Sequence, residues 1–365
     1  MLTVHYDERV LDHDTGTALH EAAPSPWITA ALPHTEGPQR ISAMIDVLRA
    51  APLASQLSFA GGREATIAEL ETVHDAAYIE SVRVAAEAGG EWFTATTLLS
   101  ERSWQPLLVA AGTALEAADT VLSGRSSTAY ALVRPPGHHA QRAMADGYCF
   151  FNHAGLVAQR ALDSGAKRVM IVDWDVHHGN GTQDLFYDRS DVLTISAHMN
   201  HGAWGPSHPQ TGYRAEMGEG AGAGYNINVP LPLGAGDEAY LRVIDEVVVP
   251  AAERYRPDFL VLASGQDASA FDPNGRHNVT MAGFRKIGQQ MRVLADAHTD
   301  GRFVGVQEGG YNPAYAAYCL LATLEGVLGA PATPDPLAYV PDQTTGLDEV
   351  IADASAQALA VSLPA

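Results

Sequence analysis

The stretch RVMIVDWDVHHGNG, Arg168 to Gly181, decides the fold. Its apolar half is short, unbroken and rich in β-branched residues, the pattern of a strand buried on both faces. The half that follows sets Asp173, Asp175 and His177 at alternate positions. In an extended chain all three side chains project to one side, so Asp175 and His177 reach a common ion. Buried carboxylates with no basic neighbour are costly, and a bound cation is the simplest compensation.

Outward from this stretch, TAYALV (128–133), VLTISA (192–197), FLVLAS (259–264) and RFVGVQ, which begins at Arg302, repeat the strand pattern. Helical periodicity fills PQRISAMIDVLRAAPL (38–53), TIAELETVHDAAYIESVRVAAEAG (66–89) and WQPLLVAAGTALEAADTVLSG (104–124), the last stopping at Gly124. Strands alternating with helices predict an α/β fold whose parallel sheet is covered on both faces. Ligands of such sheets gather beyond the carboxyl ends of the strands, so the chemistry is expected in the loops that follow them. The Gly-rich MGEGAGAGY (217–225) reads as a surface loop, too short to separate domains.

With 365 residues and 46% hydrophobic content, the chain is long enough for one large core. A single catalytic domain is expected across 1–365, its core about 1–330 and its tail, 331–365, a covering helix or loose end. Two cysteines, Cys149 and Cys319, form no CxxC pair, which argues against a disulfide framework or thiolate zinc site and for a reducing compartment. MLTVHYDERV reads as strand-like and charged and lacks an apolar signal-peptide stretch, and no later segment offers the long apolar run expected of a membrane span. A soluble, cytoplasmic protein is expected. Twenty-two Lys and Arg against forty-three Asp and Glu leave a formal charge of −21. That charge disfavours direct nucleic-acid binding and attracts cationic ligands, although acidity is equally a solubility device.

Catalytic zinc usually takes three protein ligands and keeps one position open. Asp267, in GQDASAFDPNG after FLVLAS, is the candidate third ligand; nearby Asp272 precedes Pro273 and reads as a turn residue. An Asp, His, Asp set suits zinc without demanding it, and Fe2+ or Co2+ fits as well. Arg134-Pro-Pro-Gly-His138-His139 offers two adjacent histidines on a stiff loop, one as base and the other as acid or electrostatic partner. Glu308-Gly309-Gly310-Tyr311-Asn312 offers a tyrosine on a double-glycine turn, able to donate to a developing oxyanion.

Together, HTEGPQRI (34–41), RPPGHHA (134–140), GYCFFNHA (147–154), DWDVHHGNGTQ (173–183), GQDASAFDP (265–273) and EGGYN (308–312) resemble the histone deacetylase superfamily in order and spacing. The forms are closer to class II and to bacterial deacetylase-like and acetylpolyamine amidohydrolases than to class I. The resemblance implies an arginase-type α/β fold with a central eight-stranded parallel sheet. It implies Asp175, His177 and Asp267 as zinc ligands, His139 as general base and acid, His138 as its electrostatic partner, and Tyr311 as the carbonyl-polarising residue. Asp173 behind His138 and Asn180 behind His139 match the supporting residues. Asp173, Asp175, His177 and Ser196 match a potassium site, and Arg40 an acetate-release channel.

The same resemblance assigns substrate binding to Gly147, Tyr148, Trp204, Asn274 and Gly310, with Gly147 and Tyr148 as one tunnel wall and Trp204 as the other. Tyr148 stands where phenylalanine is common, and Asn274 where many relatives carry an apolar rim residue. The aspartate that grips the substrate backbone has no secure match; Glu91 is the nearest acidic residue. The implied activity is zinc-dependent hydrolysis of an acetyl or related acyl amide, on acetyl-lysine or on an acetylated polyamine or small amine. An acyl-lysine-binding module with little turnover and a two-manganese ureohydrolase are the competing readings. Tyr311 argues against the first, and DWDVHHGN, which lacks a DAHxD-like second carboxylate set, against the second. Partners are then a small-molecule or peptide substrate and, by analogy with bacterial relatives, a second copy of the chain, with no nucleic acid or membrane.

Overall fold

Eight strands lie side by side and parallel in the central sheet of the computed structural model. In chain order they are β1 (Leu2–His5), β2 (Leu57–Ala60), β3 (Thr128–Ala131), β4 (Val169–Asp173), β5 (Val192–Met199), β6 (Asn226–Leu231), β7 (Phe259–Ser264) and β8 (Phe303–Gln307). Their spatial order is β2-β1-β3-β8-β7-β4-β5-β6. The structure describes the whole chain except residues 19–25, 29, 31, 203–204, 342–351 and 353–365. The chain divides into Met1–Thr333, which holds the sheet, and Pro334–Ala365.

The strands legible as apolar runs are the inner ones. Every residue of β4, β5, β7 and β8 is buried, so these strands show no alternation. The two edge strands, β2 and β6, were not legible. LSFA and NINVPL keep one face partly open and mix polar with apolar residues, so they present no continuous run.

Helices α2 (Trp104–Leu122) and α3 (His153–Asp163) pack on one another and against β1, β3, β4, β7 and β8. The opposite layer is built from α1 (Gln39–Ala50), α5 (Met281–His298) and α6 (Pro313–Leu328). A short helix, α4 (Asn180–Phe186), follows the β4 loop. Side-chain caps start three of these helices: Asn152 accepts from Gly155 N at 2.8 Å, the Thr280 hydroxyl accepts from Gly283 N at 3.1 Å, and Asn312 accepts from Tyr315 N at 3.1 Å. Among the described residues no helix is long and apolar enough to cross a membrane. Cys149 and Cys319 are both buried, and neither forms a disulfide among the described residues.

The periodicity across 66–89 predicts one helix, and the structure breaks it into Ile67–Leu70 and Ala76–Glu87. The Asp75 N–H donates instead to the Arg142 carbonyl at 2.9 Å, so the helical ladder cannot run through it.

Arg134, at the carboxyl end of β3, ties the sheet to the N-terminal segment. It is fully buried, donates to the carbonyls of His13 (2.6 Å) and Glu36 (2.8 Å), and sits 3.0 Å from the Glu36 carboxylate. Arg134→Met removes a buried charge from this set, and the expected loss of stability is about 3 kcal/mol, read from denaturant unfolding curves.

Candidate active site

The order of the sheet explains why four distant motifs meet. Strands β3, β8, β7 and β4 are adjacent, and their carboxyl ends lead into RPPGHH, EGGYN, GQD and DWDVHH respectively. One group of residues among those described has metal-ligand geometry: Asp175, His177 and Asp267, whose ligand atoms all lie within 4.8 Å of one another.

Both carboxylates are fully buried, and backbone N–H groups hold them in place. Asp175 accepts from Gly309 N at 2.7 Å and His177 N at 2.9 Å; Asp267 accepts from Val176 N at 2.9 Å. His177 Nδ1 lies 3.1 Å from Asp175 and 3.0 Å from Asp267. A Cβ on Gly309 would collide with both carboxylates, and one on Gly265 with Asp175, so glycine keeps the space around these oxygens open. Burial, and next the charge of Asp175, pushes Asp267 up to about 8. Burial opposes a charge on His177, yet its bonds to Asp175 and Asp267 raise it to about 10. Two carboxylates that resist sharing a buried site, with an imidazole nitrogen facing both, make a donor set that a divalent cation satisfies.

Beside this set, His138 Nδ1 bonds Asp173 at 2.9 Å, and its Nε2 is 3.7 Å from Asp175. Burial works against its charge, but Asp175, Asp173 and Glu308 outweigh it and hold His138 above the usual histidine range. His139 goes the other way: burial, then the charges of His138 and His177, lower it. Its Nδ1 is 2.5 Å from Asn180 Oδ1. Two adjacent histidines are thus driven apart in basicity by their surroundings.

Tyr311 closes the opposite side, its phenol raised by burial. Arg40, fully buried, lies 4.5 Å above the Tyr311 ring and donates to the carbonyls of Gly310 and Glu308, each at 2.7 Å, and to Glu36 at 2.7 Å. Gly310 therefore meets Arg40 through its backbone. Ser196 is the register partner of Asp173 across β4 and β5, with its hydroxyl 2.9 Å from His198 Nδ1.

A narrow cavity of about 70 Å³ reaches this cluster, lined by His139, His177, Tyr311, Gly147 and Tyr148 among others. A Cβ on Gly147 would strike the His139 ring, so only glycine lets the wall approach so closely. Tyr148 stands edge-on to Tyr311, ring centroids 5.5 Å apart. Asn274 is not part of the lining; it is 8% exposed and donates to the Tyr148 hydroxyl at 3.0 Å. Glu91 is exposed on the hairpin Gly90–Trp92 and Leu98–Ser100 and does not line the cavity, whereas Thr96 from the same hairpin's turn does. Trp204 lies outside the described residues.

Several residues here have contacts that the sequence does not assign. Asp272 is a turn residue, accepting from Asn274 N and Gly275 N, and its other oxygen also accepts from Tyr311 N at 2.6 Å, fixing the tyrosine loop. Glu308 accepts from the N–H groups of Gly137 (2.7 Å) and His138 (3.0 Å), which anchors the histidine loop. Asp146, His201 and His208 join the cavity wall. Glu308 was reachable from its place in EGGYN and Asp272 from its turn before Pro273; Asp146, His201 and His208 follow no spacing rule.

The comparisons agree with this geometry. A histone deacetylase domain matches residues 34–327. Histone deacetylase 8 of Arabidopsis thaliana is 48% identical, over 93% of this chain and 92% of that protein. A histone deacetylase-like amidohydrolase of Pseudomonas aeruginosa is 38% identical, over 91% and 87%. The crystal structure of an acetylpolyamine aminohydrolase from Burkholderia pseudomallei superposes with a TM-score of 0.78 at 27% identity, covering 89% of this chain and 98% of that one. The eight-stranded arginase and deacetylase fold is thus shared along the chain's length, and the chain belongs to the histone deacetylase family.

Proposed function

We propose that this protein is a zinc-dependent amidohydrolase that removes an acetyl or related acyl group from a primary amine. The observation that carries the proposal is the convergence of the Asp175, His177, Asp267 set with His138, His139 and Tyr311 at the end of one narrow cavity. Zinc held by those three ligands would polarise the acyl carbonyl and bring a water's acidity near neutral pH.

The chain's own groups then divide the work. His139, poor in charge and anchored through Nδ1, turns Nε2 to the cavity and takes the proton of the attacking water. His138, kept cationic by Asp173, Asp175 and Glu308, stabilises negative charge as it develops. Tyr311 keeps its phenolic proton and donates it as a hydrogen bond to the oxyanion. Protonated His139 returns its proton to the departing amine. Asp173, Asp175, His177 and Ser196 are the positions for a structural potassium ion, and Arg40 borders the way out for acetate.

The relatives include proteins named for deacetylation and for polyamine deacetylation. Acetyl-lysine in a peptide is the substrate we favour for this chain, with an acetylated polyamine as the alternative.

Stripping metal with a chelator is expected to abolish turnover and lower the melting temperature, and added zinc to restore both; a protein whose melting point ignores chelator and zinc has no metal in this site. Tyr311→Phe is expected to cut kcat by about 10²–10³ with KM nearly unchanged. The assay is a panel of acetyl-lysine peptide, acetylputrescine, acetylspermidine and longer-acyl lysine, run beside His139→Ala. The preferred member names the substrate class. Binding without turnover across the panel would instead make the protein an acyl-lysine reader.

A further inference from the structure

His139 works as a base only if its lone pair is on Nε2, which requires the proton on Nδ1. A carboxylate behind the ring would guarantee this, since it can only accept. Here the group behind the ring is the amide of Asn180, with Oδ1 2.5 Å from His139 Nδ1. An amide has two faces. With Oδ1 toward the ring, His139 carries its proton on Nδ1; flipped, the NH2 would face Nδ1 and force the proton onto Nε2, where the ring has no lone pair to offer.

Something must therefore choose the face, and the structure holds it. Asn180 Nδ2 donates to Asp146 Oδ2 at 3.2 Å. Asp146 is 4% exposed, and its other oxygen is 2.6 Å from His208 Nδ1. A flipped Asn180 would set its oxygen against the Asp146 carboxylate, acceptor against acceptor, inside a buried wall. Asp146 in turn has little freedom. Its N–H donates to the Cys149 carbonyl at 3.2 Å and its carbonyl accepts from Cys149 N at 2.7 Å, around a tight turn with positive φ at Gly147 (49°) and Tyr148 (69°). His208, which also lines the cavity, fixes the remaining oxygen.

We infer that Asp146 is a positioning residue which, braced by His208, locks the Asn180 amide so that His139 is held with its proton on Nδ1. The carboxylate is displaced by one residue: the charge stands behind the amide, and the amide stands behind the base. The catalytic consequence rests on the amidohydrolase reading above, whereas the imidazole tautomer does not.

The test uses both. Histidine-labelled protein, metal-free and zinc-loaded, is examined by long-range 1H–15N NMR, with His139→Gln assigning the resonance. The wild type is expected to show Nδ1 protonated, and Asp146→Asn a mixture of tautomers, because an amide facing an amide no longer selects a face. In hydrolysis of a fluorogenic acetyl-lysine peptide, Asp146→Asn is expected to lower kcat by about 10–100-fold, with KM and zinc content nearly unchanged.

The second background is Asn180→Asp. Alone it puts two carboxylates face to face and should be slow; adding Asp146→Asn gives the new carboxylate a donor and should leave kcat equal or higher. A sign change between backgrounds is the signature of a positioning role. An equal loss in both, or an unchanged His139 tautomer in Asp146→Asn, would overturn the inference. Absence of peptide hydrolysis in every variant would count against the amidohydrolase reading, and the NMR result would still decide this one.

Discussion

Two carboxylates, Asp175 and Asp267, follow neighbouring strands and are both fully buried. The rest of the site follows from keeping them there. Each is anionic only at the cost of desolvation and mutual repulsion, and each is partly relieved by backbone N–H groups. Those donors must come close, which excludes side chains at Gly265 and Gly309. The double-glycine turn before Tyr311 thus begins as a packing requirement of the carboxylates and only then becomes the support of the tyrosine. His177 completes the set, held between the two oxygens by the same field.

Around this centre acidic and basic groups alternate. Asp175 and Asp173 raise the basicity of His138 against the cost of burial, and Glu308 lies behind its loop, pushed up to about 7 by burial. Arg40 and Arg134 flank Glu36, all three buried. Taking one member from such a cluster strands its partners, so these residues act as structural staples even where they border the chemistry. The backbone carbonyls of Glu308 and Gly310 on Arg40, and the N–H groups of Gly137 and His138 on Glu308, are the physical links that make the histidine and tyrosine loops one unit.

Much of this was legible in the sequence because a parallel sheet buries its inner strands on both faces, and its chemistry falls in the loops that follow. RVMIVDWDVHH and FLVLASGQD announce both strand and ligand. What was not legible has equally physical causes. Edge strands such as NINVPL carry no apolar run, and the break at Asp75 depends on a carbonyl 67 residues away, at Arg142. Asp272 was legible as a turn residue, but its hold on the Tyr311 loop needs β7 and β8 to be neighbours. Asp146 and His208, which are 62 residues apart and in contact, belong to no periodic pattern.

The two departures from the family pattern turn out to be one feature. Tyr148 brings a hydroxyl into the wall, and Asn274 brings an amide to the turn after Asp272; the amide donates to the hydroxyl at 3.0 Å. A tyrosine in place of phenylalanine needs a polar partner when buried, and an asparagine in place of an apolar residue needs one too. Each substitution satisfies the other. The polarity that the sequence places at the rim is therefore taken up inside the wall, where it fixes Tyr148 edge-on to Tyr311 and leaves a flat aromatic face along the cavity. Asn274 thus supports the cavity wall from behind, and the turn that holds Tyr148 is the same turn that carries Asp146. The cavity wall at Tyr148 and the Asp146 carboxylate behind Asn180 share one backbone constraint.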